Sequence, residues 1–186
     1  MKNLLYAIIS LSILFAAGCG DDDATVQDVL QHDGPNLTGP TLGQGLHELA
    51  ARFTAAELAP YVGRELDKIS FYLRQIPASV EVVVYGQGDL NTPGPDRYAR
   101  DITNRITTTG WIEHRLTEAI DIRDEDIWIS IAVLHDGPQQ SVGCDTGPTQ
   151  PGGDHLFLST EPDWSTFSQL TGESVNWNIR AFLRPE

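Results

Sequence analysis

Ile127-Trp128-Ile129-Ser130-Ile131-Ala132-Val133-Leu134 is the stretch on which the fold turns. The run is β-branched or aromatic almost throughout and carries one hydroxyl. Acidic residues Asp124-Glu125-Asp126 precede it and the turn signal His135-Asp136-Gly137-Pro138 follows. A short apolar run bounded in this way predicts a core strand rather than a helix. Outward from it, Ile69–Leu73, Val80–Tyr85, Trp111–Leu116, His155–Leu158 and Val175–Leu183 read as further strands. Gly, Pro, Asn and Asp cluster between them at 86–96, 135–139 and 143–154. One short helix is expected: Thr54-Ala55-Ala56-Glu57 fits a capping box, Leu58 and Tyr61 turn inward, and Gly63 ends it.

Many short strands without intervening long helices favour two packed antiparallel sheets over a parallel α/β sheet. The expected fold is an all-β, jelly-roll-like sandwich, with an immunoglobulin-like sandwich as the alternative.

The N-terminus reads differently. Lys2 precedes an apolar run from Leu4 to Phe15, broken only by Ser10 and Ser12, and then come Ala16, Ala17, Gly18 and Cys19. A positive end, an apolar stretch and small residues make a secretory signal. A cysteine directly after the small residues makes it a lipoprotein signal, because the thiol takes the diacylglyceryl group. The stretch is shorter than the roughly 20 residues of a membrane span. Residues 1–18 are therefore expected to be a signal peptide, and Cys19 to be the lipidated, palmitate-bearing residue. A polar tether, acidic at Asp21-Asp22-Asp23, would occupy 19–31 and the sandwich 32–186. Several acyl chains, at about 0.8 kcal/mol per buried methylene, anchor a protein firmly where one does not. Gly20 rather than Asp follows the cysteine, which points to the outer membrane or cell surface.

The formal net charge is −14, which excludes nucleic acid as a partner, since its phosphates would be repelled. Once Cys19 carries lipid, Cys144 is the last thiol and no intrachain disulfide can form. The core must then be apolar, with four Trp, six Phe and five Tyr to furnish it.

A set of short segments resembles a known group. Ala51-Arg52-Phe53-Thr54-Ala55-Ala56-Glu57-Leu58-Ala59-Pro60-Tyr61-Val62-Gly63 continues as Leu66, Lys68-Ile69 and Phe71-Tyr72. Gly110-Trp111, Ile127-Trp128-Ile129, Gly143-Cys144-Asp145-Thr146-Gly147-Pro148 and Asn176-Trp177-Asn178-Ile179-Arg180-Ala181 follow. In this order they resemble the β-sandwich modules of Bacteroidetes secreted proteases and surface proteins, the gingipain and haemagglutinin adhesin regions among them. The resemblance runs from about residue 30 to 183. It implies a non-catalytic jelly-roll-like module for adhesion or substrate targeting, with no catalytic residues to transfer.

Catalytic motifs are missing from the residues themselves. No Gly-x-Ser-x-Gly elbow occurs. His47-Glu48 begins like a zinc-protease helix, yet Ala51 stands where the second His is required. Gly86-Gln87-Gly88 leads into a turn, not a helix. His32-Asp33-Gly34-Pro35 recurs as His135-Asp136-Gly137-Pro138. If both loops met, they would form a metal or acid–base site and a metal-dependent hydrolase; otherwise Asp-Gly is ordinary turn chemistry. Asp121–Asp126 reads as a solvated turn, and Cys144 as a buried small hydrophobe.

The ligand-binding candidates are loop residues Asp33, Asp145, Asp154 and Trp164. The three carboxylates would also be the ligands if calcium were bound. Trp164, in a polar loop, either stacks on a sugar face or packs inward. Trp111, Trp128 and Trp177 sit in strand patterns and are expected in the core. Arg180, flanked by apolar residues, is expected in a structural ion pair. The expected activity is binding, to a glycan or a surface protein, without enzymatic chemistry; a structural envelope role is the third option.

Overall fold

The computed structural model describes residues 27–185, so the signal sequence and Cys19 lie outside the described residues. Ten strands form two antiparallel sheets. They are β1 (Val29–Gln31), β2 (Gly45–Phe53), β3 (Glu65–Leu73), β4 (Ser79–Tyr85), β5 (Asp96–Asp101), β6 (Gly110–Asp121), β7 (Ile127–His135), β8 (His155–Leu158), β9 (Ser165–Thr166) and β10 (Ile179–Leu183). One sheet has the order β1-β10-β3-β6 and the other β5-β4-β7-β2-β8-β9.

The pairing is nested: β1 with β10, β2 with β7, β3 with β6 and β4 with β5. That is one long hairpin rolled into two layers, the jelly-roll arrangement. It decides against the immunoglobulin alternative. The short β8 and β9, inserted between β7 and β10, extend the larger sheet past β2.

The layers are held by alternation. Leu49, Ala51 and Phe53 of β2, Val80, Val82 and Val84 of β4, and Ile127, Ile129, Ile131 and Val133 of β7 meet Ile69, Phe71 and Leu73 of β3 and Ile179, Ala181 and Leu183 of β10. Full burial of each large aliphatic or aromatic side chain stabilises the fold by about 1.5–3 kcal/mol. Trp177 is wholly buried, and its indole N–H donates to the His155 carbonyl at 2.7 Å.

Several expectations move. Val29–Gln31, taken as the end of the tether, is drawn into the sheet as β1. Strand β2 was not legible, because its apolar residues fall at helix-like spacings and two alanines weaken the strand signal. It is a central strand buried on both faces, so packing overrides propensity. Thr54 does cap α1 (Ala55–Leu58), with the reciprocal Glu57 bond in place. A second capped helix, α2 (Phe167–Thr171), follows Thr166 and uses Gln169 in the same way. Trp128 and Trp177 are buried as expected, but Trp111 is not in the core. It is 40% exposed on the outer face of the smaller sheet, because it sits one step out of register with inward-facing Ile112. There it meets the edge of Tyr72 at 5.6 Å, and the Arg180 guanidinium lies 4.1 Å from its ring.

Candidate ligand-binding face

Residues at one end of β2, β7 and β4 build this site. Arg52, Trp128 and Tyr85 are cross-strand neighbours pointing to the outer face of the larger sheet. Arg52 is fixed by Asp126, with its Nε at 2.8 Å and Nη2 at 2.6 Å from the same carboxylate oxygen. The other oxygen of Asp126 accepts the Ala55 N–H at the start of α1. The acidic 121–126 segment is thus not simply a solvated turn. Its last member is buried and anchors two elements.

The loop that brings in β9 lays Trp164 against this row. Its ring centroid lies 5.8 Å from Phe157, 6.1 Å from Trp128 and 6.5 Å from Tyr85. Trp128 is fully buried and Trp164 only partly so. Trp164 thus packs on one side and leaves the rest of its ring open to solvent. Beside this cluster the hydroxyls of Tyr85 and Ser130 both donate to one Glu48 oxygen, at 2.7 and 2.9 Å. Burial first, and then the Glu48 bond, make the Tyr85 phenol a weaker acid than usual. Glu81, across Ala132 from Glu48, has its pKa raised by burial and by Asp101, Glu48 and Asp96.

Next to the aromatic cluster opens a cleft of about 360 Å³, whose walls include Arg52, Leu90, Gln150, Gly152, Asp154 and His155. Gly152 has φ +87°, and a Cβ there would come within 2.3 Å of the Arg52 carbonyl. Only glycine lets this loop close onto β2, where its carbonyl accepts the Arg52 N–H at 2.9 Å. His155 packs its ring 4.3 Å from Trp128, and its Nδ1 has no partner among the described residues.

Burial, with the nearby positive charges of Arg52 and His32, brings the His155 pKa down to about 4. The unfolded chain, with a histidine near 6.5, therefore takes up its proton first as pH falls. Stability is full above about pH 6.5 and declines towards pH 4, by up to about 3 kcal/mol from this group. Denaturant midpoints across that range should fall for the native chain. The His155→Phe variant should show a shallower fall.

The expected carboxylates have other work. Asp33 is buried and holds Arg180 through contacts of 2.9–3.1 Å, with Asn178 donating at 2.7 Å. This is the structural ion pair foreseen for Arg180. Asp145 accepts the N–H groups of Gly34, Gly147 and Asn176 and the Asn176 amide. Asp154 lines the cleft, but its carboxylate accepts the Ser168 N–H inside α2. These bonds tie loops together, and no group of three or more metal-ligating side chains occurs among the described residues. The calcium expectation thus finds Asp33, Asp145 and Asp154 occupied by protein donors.

The His-Asp-Gly-Pro repeat is also taken apart. His32 stacks on Phe53 at 4.6 Å, whereas His135 meets His47 at 5.0 Å. Those contacts lie at opposite ends of β2, roughly 20 Å apart at about 3.3 Å per residue. The two loops do not meet. Cys144 is buried, and its thiol pKa is pushed up to about 12 by burial and by Asp145, as a packed, unreactive cysteine requires.

No family model and no curated protein sequence matches the chain. Among solved structures, the fold is similar to that of the clostridial cysteine protease Cwp84 after propeptide cleavage. The TM-score is 0.61 at 11% identity, over 86% of this chain and 40% of that one. It is similar also to the structure of the cysteine protease and lectin-like domains of Cwp84, a surface layer associated protein of Clostridium difficile. There the TM-score is 0.55 at 10% identity, over 78% of this chain and 34% of that one. This chain thus spans about two fifths or less of the length of these neighbours, and what they share with it is the fold.

Proposed function

We propose that this chain is a lipid-anchored, extracytoplasmic binding module that recognises carbohydrate with the Trp164 face and the adjoining cleft. The observation that carries this reading is Trp164 itself. It is partly exposed, backed by Trp128, Phe157 and Tyr85, and set beside a cleft rimmed by Gln150 and Leu90. A braced aromatic plane suits the apolar face of a sugar ring, and nearby amide and carboxylate groups suit its hydroxyls. The lectin-like domain named in the Cwp84 structure supports the same reading, as does its surface association. The adhesin resemblance adds a role in attachment. Cys19 would supply the anchor, and the tether would hold the sandwich clear of the outer membrane.

A glycan array probed with the mature chain tests this. We expect a defined set of glycans to bind, and Trp164→Ala to weaken each by ten-fold or more while the melting temperature falls only modestly. Equal binding by the variant would remove Trp164 from the site. An array with no binders, together with capture of a surface protein, would make the module a protein adhesin.

A further inference from the structure

Of the eleven lysines and arginines between residues 27 and 185, eight form ion pairs with carboxylates. Arg74 donates to the Asn36 side chain at 3.2 Å. Arg100 and Arg105 make neither an ion pair nor a hydrogen bond through their side chains among the described residues. With 26 acidic residues against 12 basic ones in the chain, partners are in surplus. Two arginines of one cleft left without them therefore need a reason.

Their place supplies one. Edge strands β5 and β6 close one side of the sandwich, where the Tyr98 hydroxyl and His114 Nε2 lie 2.7 Å apart. Arg100 pairs across β4 with buried Val82, so it sits on the inward side of its strand, facing β6. Arg105 ends the short turn Thr103–Arg105. Both line a cleft of about 500 Å³ with Ala99, Asp101, Ile102 and Asn104. Asp101 is the one acid there. Its carboxylate accepts the Thr103 N–H at 2.8 Å, and it pairs with Glu81 on the opposite, outward side of β5. It neutralises neither arginine. The field of the two cations reaches buried His114, whose pKa is lowered by burial and then by Arg105 and Arg100.

We propose that this cleft is a binding site for an oxyanion, a sulfate, phosphate or carboxylate group, held between Arg100 and Arg105 with the Asn104 amide beside them. Arginine suits such groups because its planar fork donates two parallel hydrogen bonds. The site lies away from the Trp164 cleft and does not depend on the sugar-binding reading. A free inorganic anion or the acidic substituent of a saccharide would present the same chemistry.

The test titrates the mature chain with sodium sulfate, with a sulfated disaccharide and with its unsulfated parent, at ionic strength matched by chloride. The His114 imidazole proton is followed by NMR. We expect a saturable shift and a His114 pKa that rises once an anion offsets the two cations. The doubly substituted Arg100→Ser, Arg105→Ser chain should bind at least ten-fold more weakly while keeping its melting temperature, since both side chains are exposed. Saturation by free sulfate identifies a site for small anions, and saturation by the sulfated disaccharide alone a site for acidic sugars. Binding of neither, or equal binding by the doubly substituted chain, overturns the proposal.

Discussion

Asp145→Ala should cost the fold about 4 kcal/mol, a larger loss than any single exposed substitution. The carboxylate is the meeting point of three chain segments. Gly34 N–H reaches one oxygen at 2.9 Å, and the N–H groups of Gly147 and Asn176 reach the other at 2.8 Å. The Asn176 amide bridges both. Alanine would leave the three backbone N–H groups without this acceptor in a region only 6% exposed at Asp145, while the Asn176 amide keeps the Pro148 carbonyl at 3.0 Å. Each buried donor so stranded costs about 1–3 kcal/mol. For a domain of this size such a loss lowers the melting temperature by roughly 10 °C. Asparagine would keep one acceptor and lose less.

The same residue gives a pH signature. Burial works to raise the Asp145 pKa, but the bonds from Asn176, Gly34 and Gly147 together outweigh it and the net shift is downward. A carboxyl held below its unfolded value contributes stability above about pH 4 that is lost as pH falls through the folded value. Calorimetry of the native chain and of Asp145→Ala should therefore converge in acid.

Cys19→Ser should move the protein from the membrane fraction to the soluble one, an all-or-none effect. Acyl chains contribute about 0.8 kcal/mol per buried methylene. No helix among the described residues is long and apolar enough to cross a membrane. Fractionation with carbonate washing checks this. A Cys19→Ser protein that still sediments with membranes would show that something other than acylation holds it there.

The layered plan was readable wherever a strand is rich in β-branched residues, even where both of its faces are buried, as in β7. Val80–Tyr85 and Ile127–Leu134 announced themselves, as did Thr54 and Glu57 at the start of α1. Strand β2 did not, because it has no β-branched residue, and Leu46, Leu49 and Ala50 mimic a helix stripe. Trp111 misled for a different reason: one residue of register separates the core from the surface. Its outward turn became visible only with the Ile112 pairing.

At the site, Trp164 was found by its polar setting, but its backing by Trp128, Phe157 and Tyr85 joins four separate segments that no local pattern relates. Asp33 and Asp145 drew notice as loop carboxylates. What they do depends on Arg180 and Asn176, 147 and 31 residues away along the chain. Glu48, Tyr85 and Ser130 gave no signal, since they meet only through strand register. Arg100 and Arg105 carry no local signal, since what marks them is that every other lysine and arginine among the described residues has a side-chain partner.

Where a sugar settles on the sandwich is the decisive observation. Two-dimensional NMR of the mature chain, titrated with an oligosaccharide that binds on the array, answers this through the indole N–H signals. Binding as described shifts the Trp164 signal and the amides of Gln150 and Gly152, and leaves Trp111 unmoved. Shifts centred on Trp111 and Tyr72 of the smaller sheet, with Trp164 silent, would contradict it.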